Sequence, residues 1–599
     1  MRTMYGELVD YAATLPDVKP YHQETRFTWL LQLGADGSLA ARELTELTTS
    51  TSDRKGRSKL VVGVWHSTPS VVRSSGVEAL VPYDGLGYVL GWCDESSKPD
   101  RVADSHQAYR DLVIEWATHE GVDDPIAQAL QSFVHQSPEI QRPERWTSKD
   151  NVLVQVDGVN AHAAPSLVGY WVRHVEERKG SGEHGTCLIC GRSGALIETI
   201  PQMVKGPYVP GGQSSGVAPI SINAAPFGFD LTVGLVHVPI CTACARSIPL
   251  ALNSLLSDER RVRRSKDAAT TWWIAGETQF DVFTLLDQAR EEDIASLFDS
   301  VGSGVASQGQ MDVARFNSLV ISGNGPRLVV NDWTSLPLDE LRANVAGWFY
   351  DTEVEPLGQG GHRHQSLWLL ATATGRFDVD RGRYLPLGDT AGHHPHGIQE
   401  SLGTVALHGS PAPSFLASHL LQRIRADHHV DDQRAALLQL ALRRNYRKGT
   451  LMPGLDLTCT DPCYVAGRLF AIYADLQYAA ATADGGTAPN ATFADKHLAG
   501  AIADPRTAIT AGEKQAAAWL NKLRRRKGDY FYQRDIDQVV SLLQPGRTLP
   551  VRASTEEQAM FVMGYHHERA HRSHEREAAR QQRLLLGADA EPTTSPTQN

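Results

Sequence analysis

Two Cys-x-x-Cys pairs constrain this chain more than any other feature. Cys187-Leu188-Ile189-Cys190 and Cys241-Thr242-Ala243-Cys244 bracket a segment rich in glycine and serine. Each pair sets two soft thiolates on one tight turn, and four thiolates at about 2.3 Å complete a tetrahedral zinc shell. An all-cysteine shell leaves no open position, so the expected cofactor is structural Zn2+, not a catalytic metal. The fifty residues between the pairs require the two knuckles to converge from separate hairpins. A redox pair or two unrelated pairs are the competing readings. The bracketed segment carries Lys205-Gly206, then Gly211-Gly212-Gln213-Ser214-Ser215-Gly216, then Ser221-Ile222-Asn223. Its glycines can expose successive backbone N–H groups, and the Gln213 and Asn223 amides suit phosphates or base edges.

The remaining cysteines are only Cys93, Cys459 and Cys463. That usage fits metal binding in a reducing compartment, not a secreted disulfide framework. The first residues lack the apolar core of a signal peptide, and no run of about 18 apolar residues occurs, so the expected localisation is cytoplasmic. With 599 residues, two to four domains are expected. The net charge of −11 excludes a generic polybasic nucleic-acid binder and leaves room for local basic patches.

Along the chain, residues 1–15 read as a short amphipathic helix. Arg26 to Leu33 reads as a strand, with a turn at Ala35–Ser38. Asp53 to Lys59 is a basic loop, either a solvated hairpin tip or a phosphate contact, before the strand Leu60 to Trp65. Gly87 to Trp92 also reads as a strand, and Ser105 to Phe133 as helical. Val152 to Gly158 is a strand ending in a turn, and Pro165 to Glu177 a helix. A helical pattern runs from Cys244 through Leu256, followed by the basic run Arg260 to Lys266 and the buried strand Thr270 to Ala275. Arg315 to Val330 reads as strand, turn, strand, and Phe415 to Ile424 and Ala435 to Leu442 as helices. From about 455 only helices are expected: Val465, Leu469, Ile472 and Leu476 share one face, as do Ile536, Val539, Val540 and Leu543. Five of the six residues Lys522 to Lys527 are basic. This run and Arg260 to Lys266 are either solvated faces or tracks for a nucleic-acid backbone.

The fold class expected is α+β: a mixed N-terminal body with the four-cysteine zinc knuckle, a middle α+β region and a C-terminal helical bundle. The domains are 1–280, 281–454 and 455–586, with a disordered tail at 587–599. A catalytic constellation is not evident. His567-Glu568-Arg569-Ala570-His571 matches the H-E-x-x-H pattern of zinc proteases, but its charged flanks read as a helix solvated on all sides. His362, His364, His393, His394 and His396 lie in glycine-rich loops without helical spacing, as solvated histidines do. There is no Walker-type phosphate loop. The only histidine between the knuckles is His237, too few for an HNH nuclease. The alternative function is a zinc-dependent hydrolase, either metalloprotease or nuclease.

A set of short motifs carries a resemblance that spans almost the whole chain. They are Arg73-Ser74-Ser75-Gly76 with Tyr88-Val89-Leu90-Gly91, Gly212 to Gly216 with Ser221-Ile222-Asn223, and Asp267 to Trp273. Phe316 to Ser322, Asp461-Pro462-Cys463-Tyr464 with Gly467-Arg468-Leu469-Phe470, and Phe561 to His566 complete the set. In this order and spacing the chain resembles the large subunit of type I-C CRISPR–Cas surveillance complexes (Cascade). The resemblance implies a non-enzymatic protein in an antiviral ribonucleoprotein. It implies reading of the PAM in duplex DNA, help in opening the duplex, and steadying of the displaced strand, while guide pairing supplies sequence specificity. The implied partners are the CRISPR guide RNA complex, the Cascade backbone and guide-end subunits, target double-stranded DNA and a helicase–nuclease. The helical C-terminal part resembles a small subunit that this family also makes from an internal start, and Met452 stands near that boundary. Gln213, Ser214, Ser215 and Asn223, with Lys205, are the expected contacts near the PAM, and Arg73 is a further expected DNA contact. Arg524, Arg525, Arg526 and Lys527 are the expected phosphate contacts to the displaced strand. The zinc rests on cysteine spacing, not on the resemblance.

Overall fold

Trp29–Leu33 and Asn151–Val156 are apolar almost without interruption, the pattern of strands buried on both faces. In the computed structural model they pair in parallel, Trp29 opposite Val152 through Leu33 opposite Val156. Thr45–Glu46 flanks the first strand, and Asp84–Gly85 and Val159–Asn160 flank the second. The structure describes residues 3–15, 19–52, 58–73, 76–275, 281–302, 315–358, 360–483, 486–524, 529–543 and 548–588. It is α+β, with the four-cysteine cluster in the N-terminal half and a helical C-terminal region. The chain forms two compact units, Met1–Trp273 with Ser318–Trp333, and Ile274–Asn317 with Thr334–Asn599.

In the first unit, helix α1 is Met4–Ala12, α2 Leu86–Val89, α3 Pro99–Thr118, α4 Pro125–Gln136, α5 Leu167–Lys179 and α6 Thr242–Ser257. A parallel pair needs a long crossover, and α2, α3 and α4 supply it. Their apolar faces, with that of α5, bury Tyr109, Trp116, Phe133, Tyr170 and Trp171 against the sheet. Asp124 organises this layer. It caps α4 through the Ile126 amide at 3.0 Å and accepts from Ser166 Oγ at 2.7 Å. Ser166 Oγ in turn accepts from the Trp116 indole at 3.0 Å, so a large buried ring keeps a polar partner. Gly37, at φ +80°, turns the chain between Leu33 and Ser38, and a Cβ there would lie 2.4 Å from Ala129 O. A second core joins α1 and α6 to strands Val262–Arg264, Ala269–Ala275, Arg315–Asn324 and Arg327–Pro337, through Leu8, Ile248, Leu252, Leu255, Trp273, Leu319 and Ile321.

The segment expected as a strand at Gly87 to Trp92 is instead α2 followed by loop. Its amides follow Asp84, whose buried carboxylate accepts from Leu80 N at 2.9 Å and Gly85 N at 2.7 Å. A short apolar run does not distinguish a strand from a buried helical turn. The expected single helical stretch Ser105 to Phe133 is two helices, α3 and α4, split at Gly121.

The second unit is built almost wholly of helices. They are α7 Val282–Gln288, α8 Glu291–Gly302, α9 Leu338–Thr352, α10 Leu367–Ala373, α11 Ile398–His408, α12 Leu416–Asp427, α13 Asp432–Asn445, α14 Pro462–Thr482, α15 Phe493–Ala503, α16 Pro505–Leu523, α17 Asp529–Val540 and α18 Thr555–Ala588. Helix α14 is its axis. Asp461 caps it by accepting from Cys463 N and Tyr464 N, and Pro462 occupies the first turn. Val465, Leu469, Ile472 and Leu476 are buried, as the periodicity predicts. Three glycines set how closely α14, α16 and α18 approach. A Cβ on Gly467 would stand 2.0 Å from Phe561 O, on Gly564 2.1 Å from Tyr464 O, and on Gly512 2.3 Å from the Tyr473 ring. On α17, Ile536 and Val539 are buried, but Val540 is 40% exposed and Leu543 lies beyond the helix end. The tail reading at 587–599 falls, from residue 589, outside the described residues.

Candidate nucleic-acid interface and four-cysteine centre

The hairpin Gly180–Thr186 with Ser193–Ile197 closes on the first knuckle, Thr186 opposite Ser193. Cys187 N donates to Arg192 O and Gly191 N to Cys187 O, both at 2.9 Å. The second knuckle starts α6, with Cys241 at its N-cap and Cys244 in its first turn. Ile197 N to Ile240 O and Leu188 N to Pro239 O lace the two knuckles together. All four sulfur positions lie within 4.8 Å of one another. Cys190 Sγ and Cys241 Sγ are 3.8 Å apart, the tetrahedral edge that metal–sulfur bonds of about 2.3 Å produce. Burial opposes the Cys187 thiolate, yet hydrogen bonds from the backbone of Cys190, Cys241 and Ile189 bring its pKa down to about 7. Burial and the neighbouring sulfurs push Cys241 and Cys244 up. A divalent cation relieves that mutual repulsion, and soft sulfur donors suit zinc. The residues fit such an ion.

Beyond this clamp, α6 shapes a cleft. Asn253 on α6 accepts from Lys205 N at 2.8 Å and donates to Met203 O at 3.0 Å. Val204 and Val217 exchange hydrogen bonds of 2.9 Å and close the neck of the loop 205–216. The loop then seats on Ser318–Trp333: Gly323 N donates to Pro210 O at 2.7 Å and Gln213 N to Gly325 O at 3.0 Å. Gly206 is obligatory, because a Cβ there would lie 2.0 Å from Gln213 O. The expected row of exposed amides is interrupted: Gly212, Gln213 and Gly216 spend their N–H groups within this fold. The turn also presents exposed side chains, Gln213, Ser214 and Ser215.

The cleft holds about 610 Å³, and Lys205, Gln213, Ser215 and Arg73 all line it. Arg73 reaches it by a route the sequence did not signal. Lys179 on α5, itself buried, donates to Val72 O at 2.9 Å and pairs with buried Glu78 at 3.1 Å, fixing the segment that carries Arg73. The guanidinium pairs with Asp84 and lies 4.6 Å from the Tyr88 ring. Burial opposes its charge, but Asp84 more than restores it and holds the Arg73 pKa above its ordinary value. Ser74 and Ser75, and the basic loop at 53–57, lie outside the described residues.

Other expected residues stand apart. Ser214 is on the same turn but not on the cleft wall. Asn223 is not on that wall either; its Oδ1 accepts from Arg327, which covers the Phe227 ring at 4.4 Å. Arg524 ends α16, 72% exposed, with Asp529 at 3.4 Å; Arg525, Arg526 and Lys527 lie outside the described residues. In the run 260–266, Arg261 pairs with Asp258, Arg263 covers Trp272, and Arg264 covers Tyr208. His22, Asn151 and Asn253 also line the cleft and were missed, being single polar residues without a motif.

The H-E-x-x-H segment is corrected as well. It lies on α18 but is not solvated: His566, His567 and Glu568 are buried. His567 Nδ1 meets Tyr464 OH at 2.9 Å, and Glu568 pairs with Arg468 at 3.0 Å and Arg572 at 3.1 Å. His571 is 39% exposed and faces Glu575. The pattern serves helix packing, with its glutamate committed to two arginines. Of the loop histidines, His364 is buried beside Glu291, and His394 meets Thr372 O at 3.2 Å. Among the described residues, no helix is long and apolar enough to cross a membrane.

A family model described as CRISPR-associated protein (Cas_Csd1) matches residues 4–573. No curated protein matches the chain.

Proposed function

The chain belongs to the CRISPR-associated protein (Cas_Csd1) family, and from that premise we propose that it is the large, non-catalytic subunit of a type I-C Cascade. In this reading it recognises the PAM in duplex DNA, aids opening of the duplex, steadies the displaced strand and supports recruitment of a helicase–nuclease. The observation that carries the reading is the cleft in which Arg73, Lys205, Gln213 and Ser215 meet. It sets Arg73, paired with Asp84, and Lys205 beside short hydrogen-bonding side chains, with Glu24 also on the wall, a mixture that can meet phosphates and sample base edges. Its walls are held from behind by Asn253, Lys179 and the four-cysteine clamp, so the contacting groups are preorganised. Zinc is the ion this reading gives the clamp, with a structural role only. Residues 455–586 act as the small-subunit-like bundle, and Arg524 to Lys527 meet the displaced strand. Co-purification tests the assignment: tagged chain expressed with its neighbouring subunits and a guide array should bring down guide RNA. Recovery of the chain alone, folded and free of RNA, would contradict it.

A further inference from the structure

We propose that a second pocket, adjoining the cleft, grips a backbone phosphodiester of the bound duplex; this rests on the duplex-binding reading above. The pocket holds about 330 Å³ and adjoins the cleft through shared walls at Arg73, Asp84 and Asn151. Four cations line it: Arg73, Lys98, Arg101 and Lys149. Its one acidic lining residue is Asp84, already occupied by Arg73 and by the Leu80 and Gly85 amides. Lys98 and Lys149 make no ion pair among the described residues. On a chain of net charge −11, four cations around one cavity leave a local positive field suited to a polyanion.

The pocket is built, not incidental. Lys98 and Lys149 sit on loops far apart in sequence, and Asp94 ties the loops together. Its carboxylate accepts from Ser148 N at 2.6 Å, Ser96 N at 2.9 Å, and Ser96 Oγ and Ser97 Oγ at 2.8 Å. Ser97 Oγ, which donates to Asp94, accepts from Ser148 Oγ at 2.7 Å on the pocket wall, so both hydroxyl protons lock the seam that positions the two lysines. A nucleobase is a poor occupant, because the lining aromatic, Tyr88, is already covered by Arg73. A tetrahedral anion that takes charge-assisted hydrogen bonds from Lys98, Lys149 and Arg101 fits the lining.

The test uses the full chain and a fluorescein-labelled duplex of about 25 base pairs, with anisotropy read across a salt series. Lys98→Ala with Lys149→Ala should flatten the slope of log Kobs against log salt by about one to two units. The flattening should be equal for duplexes with and without the preferred motif. Both lysines are exposed, so circular dichroism should match the parent; Lys98→Gln with Lys149→Gln serves as a second variant. Inorganic phosphate, titrated by calorimetry, separates the sources. Phosphate binding lost in the variant with an unchanged DNA slope would overturn the phosphodiester assignment in favour of a free anion. An unchanged slope and no phosphate binding would overturn the pocket altogether. Failure of the motif reading is seen differently, as a parent protein that binds all duplexes equally while the slope still responds to the lysines.

Discussion

Glu568 shows how a single side chain can mislead and then explain. In sequence it completes a protease pattern; in the fold it is buried between Arg468 and Arg572. Removing one partner of a buried ion pair leaves the other charge uncompensated, typically a loss of about 3–5 kcal/mol. Glu568→Ala should therefore lower the unfolding free energy of the second unit by that order, read from urea titration, and a titration curve matching the parent would refute the buried seam. His567→Ala should release no metal, because its ring is held by Tyr464. At this scale the sequence was most legible where spacing encodes geometry, as in the four cysteines. It was least legible where lone residues converge from distant segments. Nothing around Lys179 or Asn253 announces a role, because each acts by holding a loop distant in sequence.

Among elements, the crossing of α14, α16 and α18 is set by backbone approach. Gly467→Ala adds one methyl against a main-chain oxygen that cannot rotate away. Its better helix propensity, about 1 kcal/mol, is outweighed by overpacking of about 1–3 kcal/mol plus the helix shift it forces. We expect a lower melting temperature; a higher one would show that the helices do not touch there. The histidines give the pH dependence. Burial holds His22 and His162 down to about 4 and His567 well below its ordinary value. The folded chain binds fewer protons at these sites than the unfolded chain, whose histidines titrate near about 6.5. Stability is thus retained above about pH 6.5 and falls as pH is lowered from there towards about 4. Denaturant midpoints that are flat over this window would refute it. The amphipathic face of α14 was readable because its period is helical over three turns. Residues 87–92 were misread as a strand, since a run that short carries no period and Asp84 decides its fold.

At the scale of the whole molecule, the four-cysteine clamp, α6 and the loop 205–216 form one mechanical chain from clamp to cleft. One zinc per chain is expected by elemental analysis, and Cys187→Ser should remove it. Metal removal should raise amide exchange in Gly180–Ser257, loop included, and leave α14 and α18 protected. Equal exchange in the two states would separate the clamp from the cleft. The family and the α+β class were legible from ordered motifs; the cleft was not, because Arg73 and Gln213 are brought together only by tertiary contacts. The most direct measurement is target binding by the assembled, guide-loaded complex on duplexes whose guide-matched segment is fixed and whose flanking motif is randomised. The parent protein should select one motif. Gln213→Ala, with fold and RNA content intact, should lose that selection while keeping most of its salt-dependent affinity. An unchanged motif preference in Gln213→Ala would contradict the cleft as the reading site.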